Sequence, residues 1–208
     1  MERKSIHNIC IIIFFVFGTA ITHADASVIT VDDNGGGNYS TIQEAVNNAQ
    51  KGDTILVSHG LYKENIKVNK ELTILSHSIL LSDQTDRTYV IGAVPEEGIF
   101  DIRSSNVTIE GFHIVGSPLG TGFHKTGIYL ERVQKCSLIN NTLILNDLGI
   151  FLNGSQGNYI SGNLISLGSD GISLNDSENN IMLNNLVVTN SHGILLNTVL
   201  HQLDREII

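Results

Sequence analysis

The sequence predicts an all-β fold: a parallel β-helix of about 22 residues per coil, closed at its amino-terminal end by one short capping helix. Three observations carry this. Gly127, Gly149, Gly171 and Gly193 stand 22 residues apart, and a fixed period of about twenty residues with short apolar runs marks a stacked solenoid. Within each repeat, apolar residues alternate with polar or small ones, as in Gly171-Ile172-Ser173-Leu174-Asn175; a period of two belongs to strands with one buried face. No part of the repeats keeps a 3.6-residue apolar pattern long enough for a helix, which argues against helical solenoids. The Leu-x-x-Leu-x-Leu signature of leucine-rich repeats is also missing.

Residues 1–26 read as a secretory signal peptide. They have a basic start at Arg3-Lys4, an apolar stretch from Ile9 to Phe17 and a small-x-small cleavage site at Ala24-Asp25-Ala26. That stretch is short for a membrane span, and no second one follows. Residues 27–208 are therefore expected as one exported, soluble domain, made of a cap (27–51) and coils (52–208). In the cap, Ile42, Ala45, Val46 and Ala49 share one helical face, Ser40 with Gln43 makes a capping box, and Gly52 is a natural stop. A helix over roughly 41–50 laid across the first coil would hide its open strand edge. Strands are expected at Thr54–Val57, Ile66–Val68 and Leu72–Leu75.

Residues 98–117 form a less regular coil, and 117–125 break the period as a loop. Loops of this kind carry sites more often than strands do. This one holds His124 and Lys125, with His113 and Arg103 expected nearby, so His113, His124 and Lys125 are the candidate binding residues. In the clean repeats, Ile128, Ile150, Ile172 and Ile194 should form one interior column and Leu130, Leu152, Leu174 and Leu196 another. Leu138, Ile160 and Met182, then Leu143, Ile165 and Val187, should complete the core. Asn141, Asn163 and Asn185 should form an amide ladder at an inward turn. After Gly193-Ile-Leu-Leu-Asn197 the period breaks off, which reads as a truncation, with end-to-end association through the last coil as an expected consequence.

The signal removes two basic and two acidic residues from 12 and 21, so the mature chain keeps a net charge of −9 (10 against 19). Such a surface is a poor partner for nucleic acid and repels acidic polysaccharides unless a cation or local basic patch intervenes. Of the two cysteines, Cys10 leaves with the signal. Cys136 is then alone in the register of Asn158 and Asn180, and reads as a small filler. There is no Trp for stacking on sugars, although Tyr39, Tyr62, Tyr89, Tyr129 and Tyr159 could do part of that task.

Tyr39-Ser-Thr-Ile-Gln-x-Ala-Val, Gly52-Asp-Thr-Ile-x-Val and Gly60-x-Tyr-x-Glu-x-Ile together resemble the entry segment of the right-handed parallel β-helix, pectin lyase-like superfamily. The later repeats resemble the periplasmic copper-binding, nitrous-oxide-reductase-accessory type and the β-helix modules of archaeal surface proteins. The resemblance covers about 28–200. It implies right-handed coils and leaves the activity open, since the superfamily includes lyases, hydrolases, esterases, epimerases, adhesins and binding modules.

Four chemistries can be tested on the residues. A polygalacturonase needs three carboxylates on adjacent coils and a His-Gly one coil later. Asp170 and His192 hold one register, 22 apart, and are the candidate catalytic residues, but the family's paired aspartates are reduced to Ser169-Asp170 and its Arg-x-Lys clamp is absent. Two carboxylates are the minimum for glycoside hydrolysis. The opening Gly60-x-Tyr62-x-Glu64 matches pectin methylesterases, whose downstream catalytic motifs do not follow. Asp101, Arg103 and Glu110 do not make an evident lyase cluster. The histidines carry no repeated spacing for copper, so neither metal nor cofactor is expected. The expectation is a secreted, cell-surface or periplasmic module, structural or glycan-binding and non-catalytic, with polysaccharide or envelope glycan as partner. The rival is a polysaccharide hydrolase or lyase.

Overall fold

The computed structural model describes residues 26–77, 86–94, 97–116 and 126–197, and the backbone of 203–207. The candidate residues His124 and Lys125, the signal peptide up to residue 25 and the loop 117–125 lie outside them. The described chain is a parallel β-helix whose strands stack as three sheets, the first two continuous with each other through one long strand, Ile181–Val188. The first sheet stacks β1 (Val28–Val31), β2 (Thr54–Val57), β5 (Thr73–Ser76), β8 (Thr108–Glu110), β11 (Ser137–Ile139), β14 (Tyr159–Ser161), the first half of β17 (Ile181–Val188) and β19 (Leu203–Ile207). The second stacks β3 (Gly60–Lys63), β6 (Thr88–Ile91), β9 (His113–Val115), β12 (Thr142–Ile144), β15 (Leu164–Ser166) and the second half of β17. The third stacks β4 (Ile66–Val68), β7 (Phe100–Ile102), β10 (Thr126–Glu131), β13 (Leu148–Asn153), β16 (Asp170–Asn175) and β18 (His192–Asn197). Parallel strands joined by crossovers wind right-handed.

The register keeps the 22-residue count in the clean coils. Ile128 pairs with Ile150, Ile150 with Ile172 and Ile172 with Ile194. Ile128, Ile150, Ile172, Leu130, Leu152 and Leu174 are fully buried. Ile194 is only partly buried and Leu196 is 44% exposed, so the two columns lose their cover at the last coil. That corrects the expectation of four equally buried levels: β18 has a neighbour on one side only, β16, among the described residues.

The repeated glycine is a packing requirement. A Cβ on Gly149 would lie 2.4 Å from Ile165 Cγ2 and 2.5 Å from the carbonyl oxygen of Gly171, and one on Gly171 2.2 Å from Val187 Cγ1 and 2.5 Å from Gly193 oxygen. The coil turns elsewhere, at four left-handed positions that recur every 22 residues. Arg132, Lys135, Asn140 and Leu145 have positive φ, as do Gly154, Gly157, Gly162 and Leu167, then Asp176, Asn179, Asn184 and Thr189.

The asparagine ladder forms as the register requires. Asn163 Oδ1 accepts from the Asn141 backbone N–H at 2.9 Å and from its Nδ2 at 3.1 Å, and Asn185 Oδ1 does the same for Asn163 at 3.0 and 2.9 Å. A second ladder runs through Asn158 and Asn180, and the Cys136 N–H donates to Asn158 Oδ1 at 2.9 Å. The Cys136 thiol stands 3.4 Å from the Ser104 carbonyl oxygen, and burial pushes its pKa up to about 11.

The cap is a two-turn helix, α1 (Ile42–Asn48), shorter than the expected 41–50. It buries Ile42, Ala45 and Val46, and Ala49 follows it into the core. The N-cap is Thr41, whose side chain accepts from the Glu44 N–H, in place of the expected Ser40–Gln43 box. The reason is a residue from the coil beneath. Glu64 takes the Ile42 and Gln43 N–H groups with its two carboxylate oxygens, both at 2.9 Å, and Gln43 Oε1 accepts from the Lys67 N–H instead. Three of the orphan donors at the helix start are so satisfied.

Candidate functional site

The outward face of the third sheet gathers the chemistry. Three columns of side chains run up it, because strands of one sheet in register put equivalent residues above one another. One edge carries Asp170 and, directly above it, His192. His192 Nδ1 lies 2.8 Å from Asp170 Oδ1, with the Asp170 side chain 13% exposed and that of His192 62% exposed. The carboxylate orients the ring, leaving the other ring nitrogen for solvent or a ligand. This pair is the one that counting by 22 brings together.

The middle column runs Lys67, Asp101, Tyr129, Phe151, Ser173 and Leu195. Tyr129 and Phe151 stack with centroids 5.4 Å apart and planes 20° from parallel. Beside them an amide chain climbs the third column: Asn175 Nδ2 donates to Asn153 Oδ1 at 2.9 Å, and Asn153 Nδ2 donates to Tyr129 Oη at 3.3 Å. Below Tyr129 opens a cleft of about 220 Å³ lined by Lys67, Glu97, Gly98, Asp101, Arg103 and Tyr129. Its charges are paired. Lys67 Nζ lies 2.9 Å from Glu97 Oε1, and Arg103 Nε lies 3.0 Å from both Asp101 oxygens, while Arg103 Nη1 reaches Glu131. The Asp101 carboxylate holds the Arg103 guanidinium further above its ordinary value.

Asp101, Arg103 and Glu110 make no cluster, in keeping with the sequence, because Glu110 stands on the first sheet; Arg103 instead joins Asp101 to Glu131. One expectation is corrected: His113 and Arg103 do not share a site. His113 sits on the second sheet, half-buried, its ring 5.2 Å from that of Tyr89, whereas Arg103 follows β7 on the third. Burial, helped by the charge of Arg87, lowers the His113 pKa.

The sequence hid the lower part of this face for a specific reason. Asp101 and Tyr129 are neighbours 28 residues apart, so counting by 22 from Tyr129 finds Phe151 and misses Asp101. The signal that could have found Asp101 and Arg103 was the Phe100-x-Ile102 pair, which repeats the Ile128-x-Leu130 spacing.

Residues 46–203 match the family of periplasmic copper-binding proteins, NosD. A cell surface glycoprotein of Methanothermus fervidus is 38% identical over 108 residues, which are 50% of this chain and 16% of that protein. A putative pectinesterase/pectinesterase inhibitor of Arabidopsis thaliana is 35% identical over 92 residues, 42% of this chain and 12% of its own. A second from the same plant is 35% identical over 97 residues, 44% and 14%. The chain thus spans less than a fifth of the length of these curated relatives.

Proposed function

The chain belongs to the periplasmic copper-binding protein family NosD, and from that premise and the third-sheet face we propose that it is an exported, envelope-facing β-helix module that binds glycan without turning it over. The observation that carries this reading is the stack of Tyr129 on Phe151 beside the Asn153–Asn175 amides. Aromatic rings supply apolar contact for the C–H faces of a sugar, and planar amides and carboxylates supply directional partners for its hydroxyls. The likeness to a cell surface glycoprotein supports an extracytoplasmic place. No helix among the described residues is long and apolar enough to cross a membrane.

The family is known as copper-binding, and the described residues do not fit that metal. No three His, Cys, Asp or Glu side chains among them converge to hold a metal ion. Copper favours imidazole and soft sulfur. The Cys136 thiol is buried with its pKa near 11, and Met182 is sealed in the core.

One observation favours a second reading, a polysaccharide-active enzyme. The Asp170–His192 contact is the geometry of an oriented general base. A single experiment separates the two. The purified chain is incubated with a panel of neutral and acidic polysaccharides, and retention is measured together with reducing ends and the absorbance of unsaturated products. Retention without product supports the binding module. Product that disappears in Asp170→Asn would replace it by the enzyme. Neither retention nor product would leave a structural role.

A further inference from the structure

We propose that the cleft beneath Tyr129 takes one neutral pyranose unit of a glycan and discriminates against uronates. This rests on the glycan-binding reading and adds the class of sugar. Phe151 covers one face of the Tyr129 ring. The register order Asp101, Tyr129, Phe151 places the opposite face over Asp101, where it walls the cleft. Gly98 contributes no side chain to the lining. Lys67, one coil below Asp101 in the same column and paired with Glu97, and Asp101 with Arg103 complete the lining. Its volume of about 220 Å³ is below the roughly 300–1,000 Å³ of sites for drug-sized ligands. That suits one small ring stacked on Tyr129 with its hydroxyls turned to the ion pairs.

Charge decides the class. Each cation at the cleft already faces a carboxylate: Lys67 faces Glu97, and Arg103 faces both Asp101 and Glu131. Two cations against three carboxylates leave a net charge of −1, within a chain of −9. A uronate would have to displace one of these carboxylates or sit among all three. Hydroxyls meet no such barrier, because they donate to Glu97 or Asp101 and accept from Lys67 or Arg103 without parting a pair, while Glu131 holds Arg103 from outside the lining.

The test is equilibrium binding at low salt of neutral oligosaccharides from xylan, mannan and cellulose, against oligogalacturonate and oligomannuronate. At least one neutral ligand should bind about tenfold more tightly than either uronate. Tyr129→Ala should lose about tenfold of that affinity and Tyr129→Phe should keep it, since only the ring is required. Glu131→Gln, which frees one side of Arg103, should raise uronate affinity and leave neutral binding in place. Uronates binding as tightly as neutral sugars would overturn the sugar class and spare the glycan reading. Neutral binding untouched by Tyr129→Ala, with far-UV circular dichroism unchanged, would overturn the cleft as its place. No binding by any oligosaccharide would overturn both.

Discussion

Substituting alanine along the glycine column should be costly inside the solenoid and harmless at its last level. At Gly149 the new Cβ would stand 2.4 Å from Ile165 Cγ2 and 2.5 Å from the Gly171 carbonyl oxygen. Carbon atoms in comfortable contact are about 3.5–4.0 Å apart, so the overlap exceeds 1 Å on the side-chain side. Neither neighbour can yield cheaply. Ile165 is 1% exposed and sits in register between Leu143 and Val187, and the carbonyl belongs to β16, which pairs with both β13 and β18. Relief requires the coils to part, which strains ladder hydrogen bonds above and below. Overpacking costs about 1–3 kcal/mol, and with rigid backbone on one side we expect about 3 kcal/mol for Gly149→Ala. For a domain of this size that is roughly a 6–12 °C fall in melting temperature. Gly193→Ala is the internal control. Its Cβ would meet nothing within 4 Å, so its effect should stay within about 0.5 kcal/mol. Urea unfolding followed by far-UV circular dichroism reads both. Equal stabilities for the two variants would refute steric exclusion as the cause of the repeat.

Other outcomes follow from the same geometry. Asn163→Leu removes the acceptor of the Asn141 N–H and the donor to the Leu138 carbonyl, both buried, and should cost about 2–4 kcal/mol in the same urea assay. Leu167 is 53% exposed with φ of 59°; Leu167→Asn relieves a left-handed strain of about 1–2 kcal/mol and should raise the melting temperature. The Cys136 thiol, with its pKa near 11, should resist thiol reagents in the folded chain at pH 8 and react within minutes in denaturant, as a colorimetric thiol assay would record. His113 is lowered by burial, so the unfolded chain binds its proton first. Stability should fall as pH drops below about 6.5, and His113→Gln should flatten that slope in melts taken from pH 7.5 to 5.

The sequence alone determined the architecture of the regular half, because a solenoid turns a linear period into a spatial neighbour. Residues 22 apart must lie one coil apart, so the isoleucine columns, the Asn141–Asn163–Asn185 ladder and the Asp170–His192 contact were all legible by counting. The same rule fails wherever a coil changes length. Ile55 pairs with Ile74 at a separation of 19, Ile74 with Ile109 at 35 and Ile109 with Leu138 at 29, and no periodicity states those numbers. Only the tertiary structure could therefore set Asp101 under Tyr129, join Arg103 to Glu131 and bring Glu64 to the start of α1. The purpose of the glycines was likewise invisible. Their spacing marked the coil, but that Gly127, Gly149 and Gly171 each make room for the carbonyl of the next glycine depends on the distance between stacked coils, which is a property of the packed chain.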